Sequence, residues 1–91
     1  MNKTYKIIDI LHTGHHGKRG ERKIGKKYDN RRERIIRVNT EERGWYGGLI
    51  FKGIGGYQGL YTTEFVKEYD EDGYHYIETI NSIYKLEEIV N

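Results

Sequence analysis

The chain has 91 residues, with sixteen Lys and Arg, fourteen Asp and Glu, a formal net charge of +2 and no Cys. This length predicts a single domain over residues 1–91, and the lack of Cys excludes disulfides and thiolate zinc sites. No apolar run is long enough for a signal peptide or a membrane span, so we expect a cytoplasmic protein with no membrane partner.

Short runs rich in Tyr, Ile, Val and Thr dominate the sequence, and these residue types favour strands. They predict strands at Thr4–Leu11, Ile24–Tyr28, Arg32–Val38, Trp45–Lys52, Leu60–Tyr69, Tyr74–Ile80 and Ile83–Ile89. Between them we expect a long polar loop over His12–Lys23, a turn over Asn39–Gly44, a flexible connection over Gly53–Gly59 and a hairpin turn with an Asp-Gly signal over Asp70–Gly73.

Alternation within the first predicted strand indicates which of its side chains share a face. Ile8 and Ile10 fall on one face, and Ile7 and Leu11 fall on the other. Apolar residues on both faces are typical of a strand in a small barrel, where one face meets the core and the other meets a loop.

The later strands support the same architecture. Gly47 and Gly48 interrupt the strand predicted at Trp45–Lys52, which indicates a bulge or a sharp bend. Tyr84 and Leu86 should point inward from the last strand. Five to seven short strands at regular spacing predict an all-β fold, and we expect a small antiparallel SH3-like barrel.

Positive charge is concentrated in residues 18–37, the basic segment, which holds ten Lys and Arg against three acids, a local charge of +7. Residues 60–91 hold two bases and eight acids, a local charge of −6. Lys and Arg in a glycine-punctuated loop can approach phosphates, and nearby aromatic rings can stack on bases. The predicted binding residues are Lys18, Arg19, Arg22, Lys23, Lys26, Lys27, Tyr28, Arg31, Arg32, Arg34, Trp45 and Tyr46, with Tyr57 as a further ring for stacking.

The same charge pattern also allows hypotheses in which the basic segment binds no polyanion. The basic segment can remain a solvated loop, or it can dock on the acidic half of the chain, of a second copy or of another protein. We therefore keep three partners open: a nucleic acid or nucleotide, a host or defence protein, and a second copy in a homo-oligomer.

The histidines indicate chemistry less clearly. His12, His15 and His16 lie in the predicted polar loop, but no carboxylate stands at a ligand spacing and the neighbouring Lys and Arg would repel a cation. We predict no metal ion and no cofactor. A ribonuclease needs a base, an acid and cationic groups around one phosphate, which these histidines or His75 with Glu33 could supply. No spacing singles out a catalytic set, so we predict that the protein is not an enzyme.

The C-terminal third follows the pattern LxT[ST]xV and then TxNSxYxL. The positions that match it are Leu60, Thr62, Thr63, Val66, Thr79, Asn81, Ser82, Tyr84 and Leu86. In this pattern the chain resembles a group of small SH3-like proteins from AT-rich bacteria and their phages or mobile elements. The resemblance implies a structural role for these residues and carries no catalytic residue. It also implies a phage setting, in which small proteins often act as stoichiometric inhibitors.

The sequence leads to three hypotheses for function. The first is a non-enzymatic binding module whose basic segment contacts a polyanion, which is a nucleic acid or nucleotide phosphates. The alternative is a phage-encoded inhibitor or anti-defence protein, similar to an anti-CRISPR, that docks on a host protein or sequesters its ligand. The second alternative is a small ribonuclease toxin.

Overall fold

The computed structural model describes residues 2–12, 25–26 and 31–90, and these residues form a nearly all-β protein. The strands are β1 (Asn2–His12), β2 (Gly25–Lys26), β3 (Ile35–Arg43), β4 (Gly48–Gly53), β5 (Leu60–Glu71), β6 (Tyr74–Thr79) and β7 (Ser82–Glu88). A 3₁₀ turn, Trp45–Gly47, precedes β4. In this part of the chain no helix is long and apolar enough to cross a membrane.

The strands close into an antiparallel barrel. Hydrogen-bonded neighbours follow the order β1-β3-β4-β5-β6-β7, and β7 pairs back onto β1, so that six strands form a ring. The two-residue β2 adds a short ladder at the end of β1, where Gly25 pairs with His12. The predicted all-β class and antiparallel barrel are confirmed, and the architecture is consistent with a small SH3-like barrel.

The barrel interior is filled by apolar and aromatic side chains from β1, β3, β4, β6 and β7. Within the described residues the buried set is Tyr5, Ile7, Ile10, Ile36, Val38, Leu49, Phe51, Ile77, Tyr84 and Leu86. Phe51 packs edge-on against Tyr84, with ring centroids 5.1 Å apart and planes at 73°. The predicted inward orientation of Tyr84 and Leu86 is confirmed. Leu60 and Phe65 of β5 pack against this cluster while remaining partly exposed.

The predicted faces of the first strand are wrong. Ile7 and Ile10 point into the core together, whereas Ile8 is only half-buried. The register of β1 against β7 shifts between Ile7 and Asp9, so one extra residue breaks the alternation at this point. The strand itself is as expected, and only the bulge within it was not predicted.

The predicted boundaries of the next strand are also wrong. β3 begins at Ile35 rather than Arg32, and it continues to Arg43 through residues that were predicted to form a turn at Asn39–Gly44. Its register against β4 shifts beyond Val38, so the polar residues that follow lie in an irregular ladder. Polar composition suggested a turn, but a strand with one solvent-facing side accepts such residues.

The chain between β3 and β4 contains the distortion that its glycines predicted. Trp45–Gly47 forms a 3₁₀ turn rather than the start of a strand, and Tyr46 takes left-handed backbone with φ of 53°. The register of β4 against β5 then shifts between Gly48 and Ile50. The predicted bulge is confirmed, and its consequence is that Trp45 and Tyr46 stand outside the ladder.

The hairpin between β5 and β6 turns as predicted. Asp72 and Gly73 both have positive φ, at 52° and 84°, which is the geometry that an Asp-Gly pair favours in a two-residue hairpin. The turn joins two strands that carry five of the eight acidic residues in residues 60–91, and β7 carries two more, so the negative half of the chain is built on β5, β6 and β7.

Candidate functional site

The outer surface of β1, β3 and β4 collects positive charge. The core residues of these strands point inward, so Arg37 points outward, and Lys52 on β4 lies directly opposite it. Lys6 on β1 pairs with Ile35 and joins the same outer surface. We call the cations of this surface and of the turn before it the basic face: Lys6, Arg32, Arg34, Arg37 and Lys52.

Backbone hydrogen bonds to β1 hold the turn that carries Arg32 and Arg34. The Ile7 amide donates to the Arg34 carbonyl oxygen at 2.9 Å, and the Glu33 amide donates to the Ile7 carbonyl oxygen at 2.6 Å. Arg32 Nε also donates to the Ile8 carbonyl oxygen at 3.4 Å. These two arginines therefore project from a backbone that is tied to the barrel.

The loop after β4 brings Tyr57 to the arginines. Arg34 Nη1 donates to the Gln58 carbonyl oxygen at 3.3 Å, and the Ile54 amide donates to the Ile35 carbonyl oxygen at 3.0 Å. These bonds place the loop over the start of β3. The resulting cavity, of about 430 Å³, is lined by Lys6, Arg32, Glu33, Arg34, Ile35 and Tyr57. The Tyr57 side chain is 46% exposed, so its ring remains accessible to a ligand.

Acidic neighbours partly balance the basic face. Asp9 lies 3.7 Å from Arg32, Glu42 lies 3.4 Å from Lys52, and Glu87 of β7 lies opposite Lys6. Exposed ion pairs of this kind contribute about 0–1 kcal/mol each, so a phosphate can compete for the cations. Arg37 and Lys52 are like charges directly opposite each other, an arrangement that lowers the stability of a sheet.

Trp45 and Tyr46, two of the aromatic residues predicted to bind, lie at the other end of β4. Each is 85% exposed, and their ring centroids are 5.9 Å apart. Trp45 also lines a second cavity, of about 500 Å³ and mainly apolar, together with Gly44, Gly48, Ile50, Tyr61 and Thr62. The structure does not bring these rings together with Arg32 and Arg34, and Tyr57 stands beside those arginines instead.

Much of the predicted site lies outside the described residues. This holds for Lys18, Arg19, Arg22, Lys23, Lys27, Tyr28, His15 and His16. Of the strand predicted at Ile24–Tyr28 the structure describes Gly25–Lys26, which is extended. Lys26 and His12 are described through their backbones alone, as members of the β1–β2 ladder.

The structure adds cations that sequence reasoning did not select. Arg31, Arg32 and Arg34 precede β3 as a group, in agreement with their proximity in the sequence. Lys6 and Lys52 lie in other strands, outside the charge-rich run, and only the strand register places them on the surface that carries Arg37. In the sequence, only the alternation of Lys6 and Lys52 with apolar residues could have indicated that they lie on the outer surface.

A second polar cluster surrounds His75 on β6. Its Nδ1 lies 2.8 Å from Asp70 Oδ1, its Nε2 lies 2.9 Å from Glu68 Oε2, and its ring stacks on Tyr5 with centroids 5.3 Å apart. Both ring nitrogens are thus engaged by carboxylates, an arrangement that orients the ring and ties β6 to β5. Among residues 2–12, 25–26 and 31–90, no group of three His, Asp or Glu side chains could hold a metal ion.

Two tyrosines near this cluster predict a loss of stability in alkali. Burial, and then the charges of Glu88, Glu68 and Asp70, raises the pKa of Tyr5 from 10.0 to about 12. Burial, and then the hydrogen bond donated to Glu78 at 2.9 Å, raises the pKa of Tyr69 to about 12. Both phenols ionise more readily in the unfolded chain than in the folded protein. Their contribution to the free energy of unfolding is therefore complete below pH 10 and is lost as the pH rises through 12.

Urea unfolding at several pH values between 9 and 12 measures this effect. Tyr5 is 5% exposed, and its ionisation should lower the free energy of unfolding by about 2 kcal/mol at pH 12. Tyr5→Phe should make the decline shallower, whereas Tyr61→Phe, at an exposed ring, should follow the wild-type profile. A wild-type stability that stays constant up to pH 12 would contradict the prediction.

Comparison of the chain with protein-family models, with curated proteins and with solved structures gives no match. A functional assignment therefore rests on the charge and geometry of the described residues.

Proposed function

We propose that the chain is a non-enzymatic binding module whose basic face holds a polyanion, either a nucleic acid or nucleotide phosphates. The observation that carries the proposal is the cavity whose lining combines Lys6, Arg32 and Arg34 with Tyr57, a residue that is 46% exposed. Lys and Arg bind phosphate oxygens, and any base offers a flat face for stacking on an aromatic side chain. A polyanion that carries bases satisfies both kinds of group at one place.

The arrangement of the cations supports this proposal. The backbone hydrogen bonds around Arg32 and Arg34 reduce the ordering that binding would require, which favours affinity. Arg37 and Lys52 extend the positive charge along β3 and β4 at a cost in stability, since they repel each other. A phosphate between them would turn that repulsion into two attractions.

Fluorescence anisotropy with labelled single-stranded RNA, single-stranded DNA and duplex DNA tests the proposal at about 50 and 200 mM salt. We expect binding to at least one probe, with an affinity that falls steeply as salt rises, because phosphate contacts release counterions. The double variant Arg32→Ala/Arg34→Ala should bind about tenfold more weakly or worse, through the loss of two charged hydrogen-bond donors.

Lys67→Ala is the matched control for this experiment. It removes an exposed cation from β5, where Lys67 lies 3.8 Å from Glu78 and apart from the basic face. The control should bind as the wild type does. Equal losses in the control and in the double variant would contradict the proposal, and the absence of binding to every probe at about 50 mM salt would contradict a nucleic-acid ligand.

We propose a protein-docking inhibitor as the second candidate, on the strength of Trp45 and Tyr46. Both rings are 85% exposed and adjacent, and Trp and Tyr are enriched among the residues that dominate protein interfaces. Capture of one defined partner from a host lysate, retained after nuclease treatment and lost in Trp45→Ala, would favour this candidate. For a ribonuclease the described residues offer less support, since both nitrogens of His75 are held by carboxylates.

A further inference from the structure

We infer that the polyanion is a single-stranded nucleic acid that crosses the outer face of β4, with one base on Tyr57 and another in the groove between Trp45 and Tyr61. The inference rests on the proposed function and adds to it a second base-binding site and a path for the strand. Three features support it: the strand register, the composition of the groove, and the cations beside the groove.

The strand register connects the two aromatic sites along one surface. Lys52 and Ile50 are two residues apart on β4, so their side chains share its outer face. Lys52 pairs with Arg37 on β3, and Ile50 pairs with Tyr61 on β5. The cations of the basic face therefore begin where the aromatic groove ends, and no strand lies between them.

The groove has the shape and the composition to accept a flat ring. A Cβ on Gly44 would lie 3.6 Å from the side chains of both Ile50 and Tyr61, so these two side chains converge over a glycine. Trp45 and Tyr61 remain 85% and 73% exposed, which leaves their rings accessible for stacking. The wall is mainly apolar, as the faces of a base require.

The neighbouring cations determine which flat ring the groove would take. An apolar groove alone suits many ligands, but Lys52 and Arg37 beside it favour a ring that is joined to phosphates. In a duplex the bases are paired and stacked on one another, so they cannot reach exposed side chains without being unstacked. A single strand presents its bases at no such cost, and we therefore assign the surface to a single strand.

The distance between the two sites sets the length of strand that can reach both. β4 runs from Gly48, at the groove, to Gly53, at the Tyr57 loop, and the five residue steps between them span about 17 Å at about 3.4 Å per step. A stacked strand rises 3.4 Å per nucleotide, so about six nucleotides cover this distance, and an extended strand needs fewer. A trinucleotide should therefore bind at the Tyr57 site, whose cavity carries the cations, whereas a nonanucleotide should occupy both sites.

Oligothymidylates of three, six and nine nucleotides test the inference. Trp45 is the only tryptophan of the chain, so emission excited selectively from tryptophan reports on the groove alone. We expect the nonamer to quench this emission as a base stacks on the ring. Tyr61→Leu keeps the reporter and removes one wall of the groove, and it should weaken nonamer binding about tenfold while changing trimer binding less than twofold. Tyr61→Phe keeps the ring and should bind as the wild type does.

The outcomes separate this inference from the function on which it rests. If the nonamer binds in a salt-dependent manner without quenching Trp45, and Tyr61→Leu binds it equally well, the second site is wrong and the basic face remains the site. Tighter binding of duplex than of single strands would also overturn the inference. If no oligonucleotide binds at about 50 mM salt, the inference fails together with the nucleic-acid form of the proposed function. Because Tyr61 is exposed, Tyr61→Leu should fold normally, and its urea midpoint verifies this.

Discussion

Gly53→Ala should lower the free energy of unfolding by about 3 kcal/mol or more and should also displace the Tyr57 ring from the basic face. A Cβ at Gly53 would overlap the Tyr57 carbonyl oxygen and would lie 2.6 Å from the carbonyl carbon of Gln58. These are backbone atoms, so no side-chain rotation relieves the contact. Gly53 also pairs with Ile36 in the β3–β4 ladder, which opposes a shift of β4, and the loop must move instead.

Urea or thermal unfolding measures the stability change, and a loss of about 3 kcal/mol lowers the Tm of a domain of this size by about 12 °C or more. Gly44→Ala is the control, because its Cβ would make ordinary contacts at 3.6 Å and its φ of −92° suits alanine. We expect the control to remain within about 1 kcal/mol of the wild type. Similar stabilities for the two variants would mean that the close approach of the Gly53 backbone to the Tyr57 loop does not fix the position of that loop.

Reversing the two cations that face each other across β3 and β4 should have the largest effect on binding. Arg37→Glu with Lys52→Glu should weaken the binding of single-stranded DNA on the order of 100-fold at about 50 mM salt, since two attractions become two repulsions. If each cation neutralises one phosphate, the slope of log K against log salt should become less negative by about 1.4, because each phosphate accounts for about 0.7 of it. Both side chains are exposed, so the barrel should remain folded.

The neutral pair Arg37→Thr with Lys52→Thr separates loss of charge from repulsion. Threonine suits an exposed strand position, and the change removes a like-charge pair, so the free energy of unfolding should rise by a few tenths of a kcal/mol up to about 1 kcal/mol. Affinity should fall about tenfold. The ion pair of Lys52 with Glu42 is exposed, and its loss costs little. Unchanged affinity in both double variants would place the ligand away from β3 and β4.

The strands were predictable because local composition and alternation determine them. Tyr84 and Leu86 face the core as their spacing indicates, and Asp72 and Gly73 turn the chain as their backbone preferences require. The faces of β1 could not be predicted in the same way, since the bulge after Ile7 reverses the alternation. A bulge is set by the pairing with β7, at the other end of the chain, and leaves no local signal.

The candidate site was harder to predict because it depends on contacts between distant residues. Tyr57 lines the same cavity as Arg34 because the backbone at Gly53 passes close to the loop that carries Tyr57. Lys52 reaches Arg37 only through the register of β3 and β4. The basic segment predicts a negatively charged ligand, in agreement with our proposal. It could not identify the cations that other strands contribute to the site.

Closure of the barrel bears on the order in which the chain folds. The ladder that joins β1 to β7 pairs Tyr5 with Glu88, so it links residues from the two ends of the sequence. Residues so far apart in the sequence must overcome a large loop-closure entropy before their pairing stabilises the fold. The β5–β6 hairpin, in contrast, forms around a local turn. We expect the β1–β7 ladder to form last. Until β7 is synthesised and paired, one edge of β1 exposes unpaired backbone groups that can associate with other chains, and this risk of aggregation ends when the ring closes.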